Sequence, residues 1–174
     1  TNDGQDLVFK VNSIVAWRLS LSGNTAFWYW ANPVSNWFNN VSIWLNSLAN
    51  NSSWQRNVWI GTQAMQSIIS GNDNIWIGYQ VMAGNLTWNN NILLGSSALA
   101  AITSWYSNVA IGSSSLYSNT SGFANTAVWN WTIYSNTTWV DYAALWVNSL
   151  FNNTWWSANV AMGRLALFSN TMGS

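Results

Sequence analysis

From Asn24 onward the hydrophobic and polar positions of this chain repeat with a step of seventeen residues. The clearest copy, NVAIGSSSLYSNTSG at residues 108–122, opens on Asn, passes a small β-forming apolar pair and a large aliphatic, and reaches Gly. Three small residues, a Leu, a polar Asn-Thr-Ser turn and a second Gly follow. The opening Asn recurs at 40, 57, 74, 91, 108, 125 and 159, with Tyr142 in the one gap. An earlier copy at Asn24 is one residue short, so nine copies are expected. A fixed period of this length is the signature of a solenoid.

The columns of the repeat predict the elements. The fourth column is Phe27, Ile43, Ile60, Ile77, Leu94, Ile111, Val128, Leu145 and Met162, with no polar exception. The ninth is Leu48, Met65, Met82, Leu99, Leu116, Ile133, Leu150 and Leu167, and the eighth stays small or β-branched. Two large aliphatics per coil, each in register with itself, predict two apolar core ladders between parallel strands ~4.8 Å apart. Each copy is expected to hold two short strands, over its first four residues and over residues eight to eleven. Turns at Gly61, Gly78, Gly95, Gly112 and Gly163 join them, and a longer polar turn containing Gly71, Gly122 or Gly173 leads onward. Helix is excluded, because Gly and Asn-Thr-Ser clusters interrupt each copy too often for a stable one. Asn in the opening column, and in the polar turn at Asn51, Asn85, Asn119, Asn136, Asn153 and Asn170, predicts stacked amides that satisfy turn backbone.

The expected fold is therefore all-β, a parallel β-roll or β-solenoid of about nine 17-residue coils over residues 24–174. At the parallel-strand spacing it extends about 40 Å. Residues 1–23 form a β-rich lead-in from an upstream region. In it, LVFKV (7–11) and SIVAW (13–17) flank Asn12 as a short hairpin or two flat strands.

Charge changes the picture by its near absence: four Lys and Arg stand against four Asp, with no Glu. No basic face is available to neutralise phosphates, so nucleic acid is not an expected partner. Without Cys or His there is no disulfide framework and no thiolate or imidazole ligand, and the commonest general base is missing. Asp3, Asp6, Asp73 and Asp141 are scattered, whereas a calcium-binding roll needs an Asp in every coil. The chain is expected not to be an enzyme and to carry no cofactor or metal. No apolar run approaches the ~20 residues of a membrane helix, so no membrane insertion by this segment is expected. Thr1 does not read as an initiator and no secretion leader is visible, which suggests a segment of a longer chain. Sequons such as Asn85-Leu-Thr and Asn136-Thr-Thr are what chance supplies in so Asn- and Thr-rich a text.

Asn-x-Ala-Ile-Gly followed by small residues and Leu, at 108–116 and more loosely at 57–65, 74–82 and 159–167, resembles the head repeats of YadA-like trimeric autotransporter adhesins. Similar repeats occur in phage tail fibres. The resemblance implies a left-handed roll packed as a homotrimer, extracellular at a cell surface (or on a virion tail fibre), and used for attachment to a receptor or matrix component. It also implies that the fourth and ninth columns supply the core and the trimer contact. The common head repeat is somewhat shorter than seventeen residues. Independently, one thin roll buries too little surface to be stable alone, which favours an oligomer. An ice-binding solenoid is the alternative from another class. Its Thr would have to recur on a strand face, and here Thr120, Thr137, Thr138, Thr154 and Thr171 fall in the turn.

Sixteen Trp stand apart from this pattern. The fifth column reads Trp28, Trp44, Gly61, Gly78, Gly95, Gly112, Trp129, Trp146, Gly163, and the fifteenth reads Trp37, Trp54, Gly71, Trp88, Trp105, Gly122, Trp139, Trp156, Gly173. Eighteen positions thus hold eight Gly, ten Trp and no third residue. No physical property makes the smallest and largest residues alone interchangeable while excluding Ala, Ser and Asn. A codon does, since UGA is read as Trp in some genetic codes and as Gly in others. Reading Gly at Trp59 and Trp76 likewise gives NVGIG and NIGIG, as in the resembling family. The competing expectation is an aromatic ladder that binds sugars by stacking.

Overall fold

The computed structural model describes residues 7–11, 14–19, 25–27, 39–43, 53–64, 70–81, 87–100, 105–135, 140–153 and 158–169. All regular structure there is β. An antiparallel hairpin, β1 (Leu7–Val11) and β2 (Ile14–Leu19), comes first, and β2 pairs antiparallel with β3 (Thr25–Phe27). From β3 a parallel sheet continues through β4 (Val41–Ile43), β6 (Val58–Ile60), β8 (Ile75–Ile77), β10 (Ile92–Leu94) and β12 (Val109–Ile111). It ends with β13 (Thr126–Val128), β14 (Ala143–Leu145) and β15 (Val160–Met162). A second parallel sheet has the order β11 (Trp105–Tyr106), β9 (Thr87–Asn89), β7 (Ser70–Asn72), β5 (Ser53–Gln55). The chain is a β-solenoid, with about five turns within the described residues.

Register is one repeat per strand throughout. From β4 onward every pair in the long sheet joins residues seventeen apart, as in Ile60↔Ile77, Leu94↔Ile77 and Ile111↔Val128. Two sets of backbone bonds run along the axis. Val58 donates forward to Asn74 O (2.9 Å) and Ile75 to Asn91 O (2.9 Å), while Gly78 donates back to Ile60 O (2.8 Å) and Gly95 to Ile77 O (2.9 Å).

The second strand and the core differ from expectation. Residues eight to eleven of a coil form turn, and the second strand lies at residues fourteen to sixteen, as in Ser53–Gln55 and Ser70–Asn72. The reason is the backbone at the ninth column. Leu99, Leu116, Ile133 and Leu150 have φ of 57, 52, 51 and 51°, in the left-handed region that cannot continue a strand. That turn instead aims two successive side chains inward, so Ala98 and Leu99, Ser115 and Leu116, Thr132 and Ile133, and Ser149 and Leu150 are all fully buried.

The first-strand core is the third column, not the fourth. Ser42, Trp59, Trp76, Leu93, Ala110, Ala127, Ala144 and Ala161 are buried. Ile43, Ile60, Ile77, Leu94 and Val128 are only half-buried, and Ile111, Leu145 and Met162 are exposed. Strand side chains alternate between faces, so the column that points out is fixed once its neighbour points in. Leu99 and Leu116 do belong to the core. Leu48, Met65 and Met82 lie outside the described residues.

Candidate interaction surface

The outer face of the long sheet is built by the second and fourth columns. From β4 to β15 it reads Val41 and Ile43, Val58 and Ile60, Ile75 and Ile77, Ile92 and Leu94, then Val109 and Ile111. Thr126 and Val128, Ala143 and Leu145, and Val160 and Met162 complete it. Thr126 is the single polar side chain in these pairs, and none is charged. Ile75, Ile92 and Ile111 are each 37% exposed, rising to 64% and 74% at Val160 and Met162 on the last strand. Monomeric proteins seldom leave a contiguous apolar patch above roughly 300–600 Å². A stripe two aliphatic side chains wide along eight strands is of that order or larger.

Beneath this face the opening Asn column forms a buried ladder. The Oδ1 of Asn40, Asn57, Asn74, Asn91 and Asn108 each accepts the backbone N–H of the next coil's Asn, at 2.8–3.0 Å. The Nδ2 of Asn57, Asn74, Asn91 and Asn108 donates to the carbonyl two residues earlier, on Gln55, Asn72, Asn89 and Tyr106. Nδ2 of Asn57 and Asn108 also reaches across the coil to the carbonyls of Gly71 and Gly122. The amide thus stitches coil to coil and closes each coil on itself. Tyr142 keeps the backbone bond, donating its N–H to Asn125 Oδ1 (3.0 Å), and its hydroxyl accepts from Asn153 Nδ2 (2.5 Å). Burial pushes the Tyr142 phenol up in pKa, with the Asn159 and Asn153 hydrogen bonds opposing. Of the turn-column Asn, Asn119 and Asn153 are buried, and Asn51, Asn85, Asn136 and Asn170 lie outside the described residues.

A second feature is aromatic. Tyr117, Tyr134, Phe151 and Phe168 stack in succession with centroids 5.0, 4.9 and 5.1 Å apart and planes within 10° of parallel. An open hollow of about 310 Å³ beside them is lined by Trp131, Tyr134, Asn148, Phe151 and Phe168. Sugars stack on ring faces. Here both faces of Tyr134 and of Phe151 are covered by neighbouring rings, so the ladder braces successive turns.

Charge is peripheral. Arg56 Nε and Nη2 donate to Asp73 Oδ1 (2.6 Å) and Oδ2 (2.8 Å), one coil apart on an exposed edge. The hydrogen bond and charge of Arg56 lower the Asp73 pKa, and Asp73 raises that of Arg56. Among the described residues no three His, Cys, Asp or Glu gather as metal ligands, and no helix is long and apolar enough to cross a membrane.

The turn glycines Gly61, Gly78, Gly95, Gly112 and Gly163 all have positive φ. Gly71 and Gly122 are buried beside the Asn ladder, while Gly173 lies outside the described residues, as do Trp28, Trp37, Trp44, Trp139 and Trp156. Trp54, Trp88 and Trp105 place their backbones in the second sheet, where Gly71 pairs with Trp54 on one side and Trp88 on the other. The left-handed turns at the seventh and ninth columns carry no glycine signal in Gln63, Ser97, Leu99 or Leu116, whereas those of the seventeenth column are marked by Asn39, Asp73, Asn90 and Asp141, which tolerate positive φ. No family model, curated protein or solved structure matches the chain.

Proposed function

We propose that this chain is a non-enzymatic structural and binding segment of a surface-displayed fibrous adhesin head, folded as a homotrimer. The observation that carries the proposal is the uncharged aliphatic outer face of the long sheet. It repeats every coil and carries no charged group, with Thr126 its single polar side chain. In a three-fold assembly this face turns toward the shared axis, where the ladders of two other copies cover it coil by coil. In this reading the roll has nine left-handed coils from Asn24 onward. It is displayed outside the cell, and its turn edges meet a receptor or matrix component. A phage tail-fibre segment is the same architecture on a virion.

Light scattering of the chain without any added oligomerising module tests the assembly, with three chains per particle expected. Ile77→Lys with Leu94→Lys places charges on the outer face and should reduce the particle to single chains. A cooperative, well-folded monomer of the unsubstituted chain overturns the reading.

A further inference from the structure

Among the described residues, seven successive coils pass through the fifth column: Gly61, Gly78, Gly95, Gly112, Trp129, Trp146 and Gly163. The glycines have φ of 131, 143, 133, 128 and 128°. Positive φ of this size is backbone that Gly adopts freely and an L side chain rarely does. Space excludes a side chain as firmly as angle does. A Cβ on Gly61 would stand 2.2 Å from the carbonyl oxygen of Gly78, and one on Gly78 would stand 2.6 Å from that of Gly95. A Cβ on Gly95 would meet the Gly112 carbonyl at 2.7 Å, and one on Gly112 the Trp129 carbonyl carbon at 2.4 Å. The obstacle is each time the backbone of the next coil, which cannot swing aside. At Gly163, which no described coil follows, nothing stands within 4 Å.

The two tryptophans occupy the same backbone ladder. Trp129 has φ of 110° and Trp146 of 117°, the two lowest values in the column. The N–H of Trp129 donates to Ile111 O at 2.5 Å, the shortest bond of a register that otherwise runs from 2.7 to 3.1 Å. Both rings are half-exposed, at 51% and 53%, and stack on each other with centroids 5.7 Å apart. That stack ends after two rings, because Gly112 and Gly163 flank it. A ligand-binding aromatic ladder would continue, and nothing in the fold selects these two coils.

We infer that Trp129 and Trp146 are glycines in the native protein, written by UGA codons that its organism reads as Gly. The same holds for Trp28, Trp44, Trp37, Trp54, Trp88, Trp105, Trp139 and Trp156, since their two columns contain nothing but Gly and Trp. Trp59 and Trp76 belong with them. They fill a third column whose other described members are Ser42, Leu93 and five Ala, and their buried rings are 5.6 Å apart. With glycine restored, the fifth column becomes a side-chain-free seam along which consecutive coils rest backbone on backbone. The inference is independent of what the roll binds and of how many copies assemble.

The decisive experiment reads the gene and weighs tryptic peptides of the protein purified from its own organism. UGA at codons 129 and 146, with glycine masses in the native peptides, is the expected result. UGG at either codon, or a tryptophan mass in either peptide, overturns the inference. A stability measurement gives a second readout. Relieving two side chains held at positive φ should raise Tm by roughly 5–15 °C in Trp129→Gly/Trp146→Gly against the unsubstituted chain. An unchanged or lower Tm in the double variant counts against it. Gly112→Ala, which presses a Cβ into the next coil, should lower Tm as a control for the column.

Discussion

Asn91 shows how much one side chain does in this fold. Its Oδ1 accepts the N–H of Asn108 at 2.9 Å, and its Nδ2 donates to Asn89 O at 3.0 Å and to Asn74 Oδ1 at 3.1 Å. Asn91→Ala leaves the buried Asn108 N–H and the Asn89 carbonyl without these bonds. An orphaned buried group costs about 1–3 kcal/mol, and urea unfolding of the variant should show a loss of that size. The exposed Arg56–Asp73 pair acts on pH dependence. Asp73 has its pKa lowered, so its contribution is present above the ordinary carboxylate range and is lost as pH falls through the lowered value. Asp73→Asn should flatten the acid limb of a Tm-against-pH curve, and an unchanged limb would show the pair to be inert. Tyr142 has the opposite sign. Its pKa is raised, so its contribution is intact below the ordinary phenol range and is lost as pH rises through the raised value. Tyr142→Phe should remove that alkaline loss.

Within an element, the third and fourth positions of each strand divide the work. The third faces the interior, where facing turns leave room for Ala110, Ala127, Ala144 and Ala161. The fourth carries the large aliphatics outward. Leu116→Ala in the turn core should cost about 2–5 kcal/mol in any assembly state. Ile77→Ala on the outer face should change the unfolding of an isolated chain little, and should weaken association between chains. Equal losses in both variants by denaturant titration would contradict the division. The seventeen-residue step, the parallel ladders and the Asn stack were legible from Asn40, Asn57 and Asn74, because a repeated side chain at fixed spacing has one way to stack. The core phase was not. Ile60 and Ile77 are the largest uniformly aliphatic residues of their strands, and size alone suggested the interior. From Ala110 onward the third column holds Ala, because the interior there is already filled by Leu116, Ile133 and Leu150 from the turns, and the large aliphatics of the fourth column point outward. The second strand was misplaced because Leu99 and Leu116 read as strand residues in sequence, while their left-handed backbone is set by the turns around them.

At the scale of the molecule the two ends of the long sheet differ. The β1–β2 hairpin closes one end by pairing Trp17 with Phe27 and Arg18 with Ala26. At the other end β15 exposes Val160 and Met162, and no described strand pairs beyond it. An unpaired strand edge is a template for aggregation. Deleting residues 1–19 should therefore raise turbidity on concentration and lower Tm, whereas a deletion that leaves solubility and Tm unchanged would show that the hairpin caps nothing. The axial direction of the inter-coil hydrogen bonds has a mechanical corollary. A load drawn along the solenoid axis is carried by one coil boundary after another, each held by the same small set of bonds in tension. Such a solenoid yields by peeling coil by coil in equal steps. Its extension trace would be a sawtooth whose spacing is one repeat.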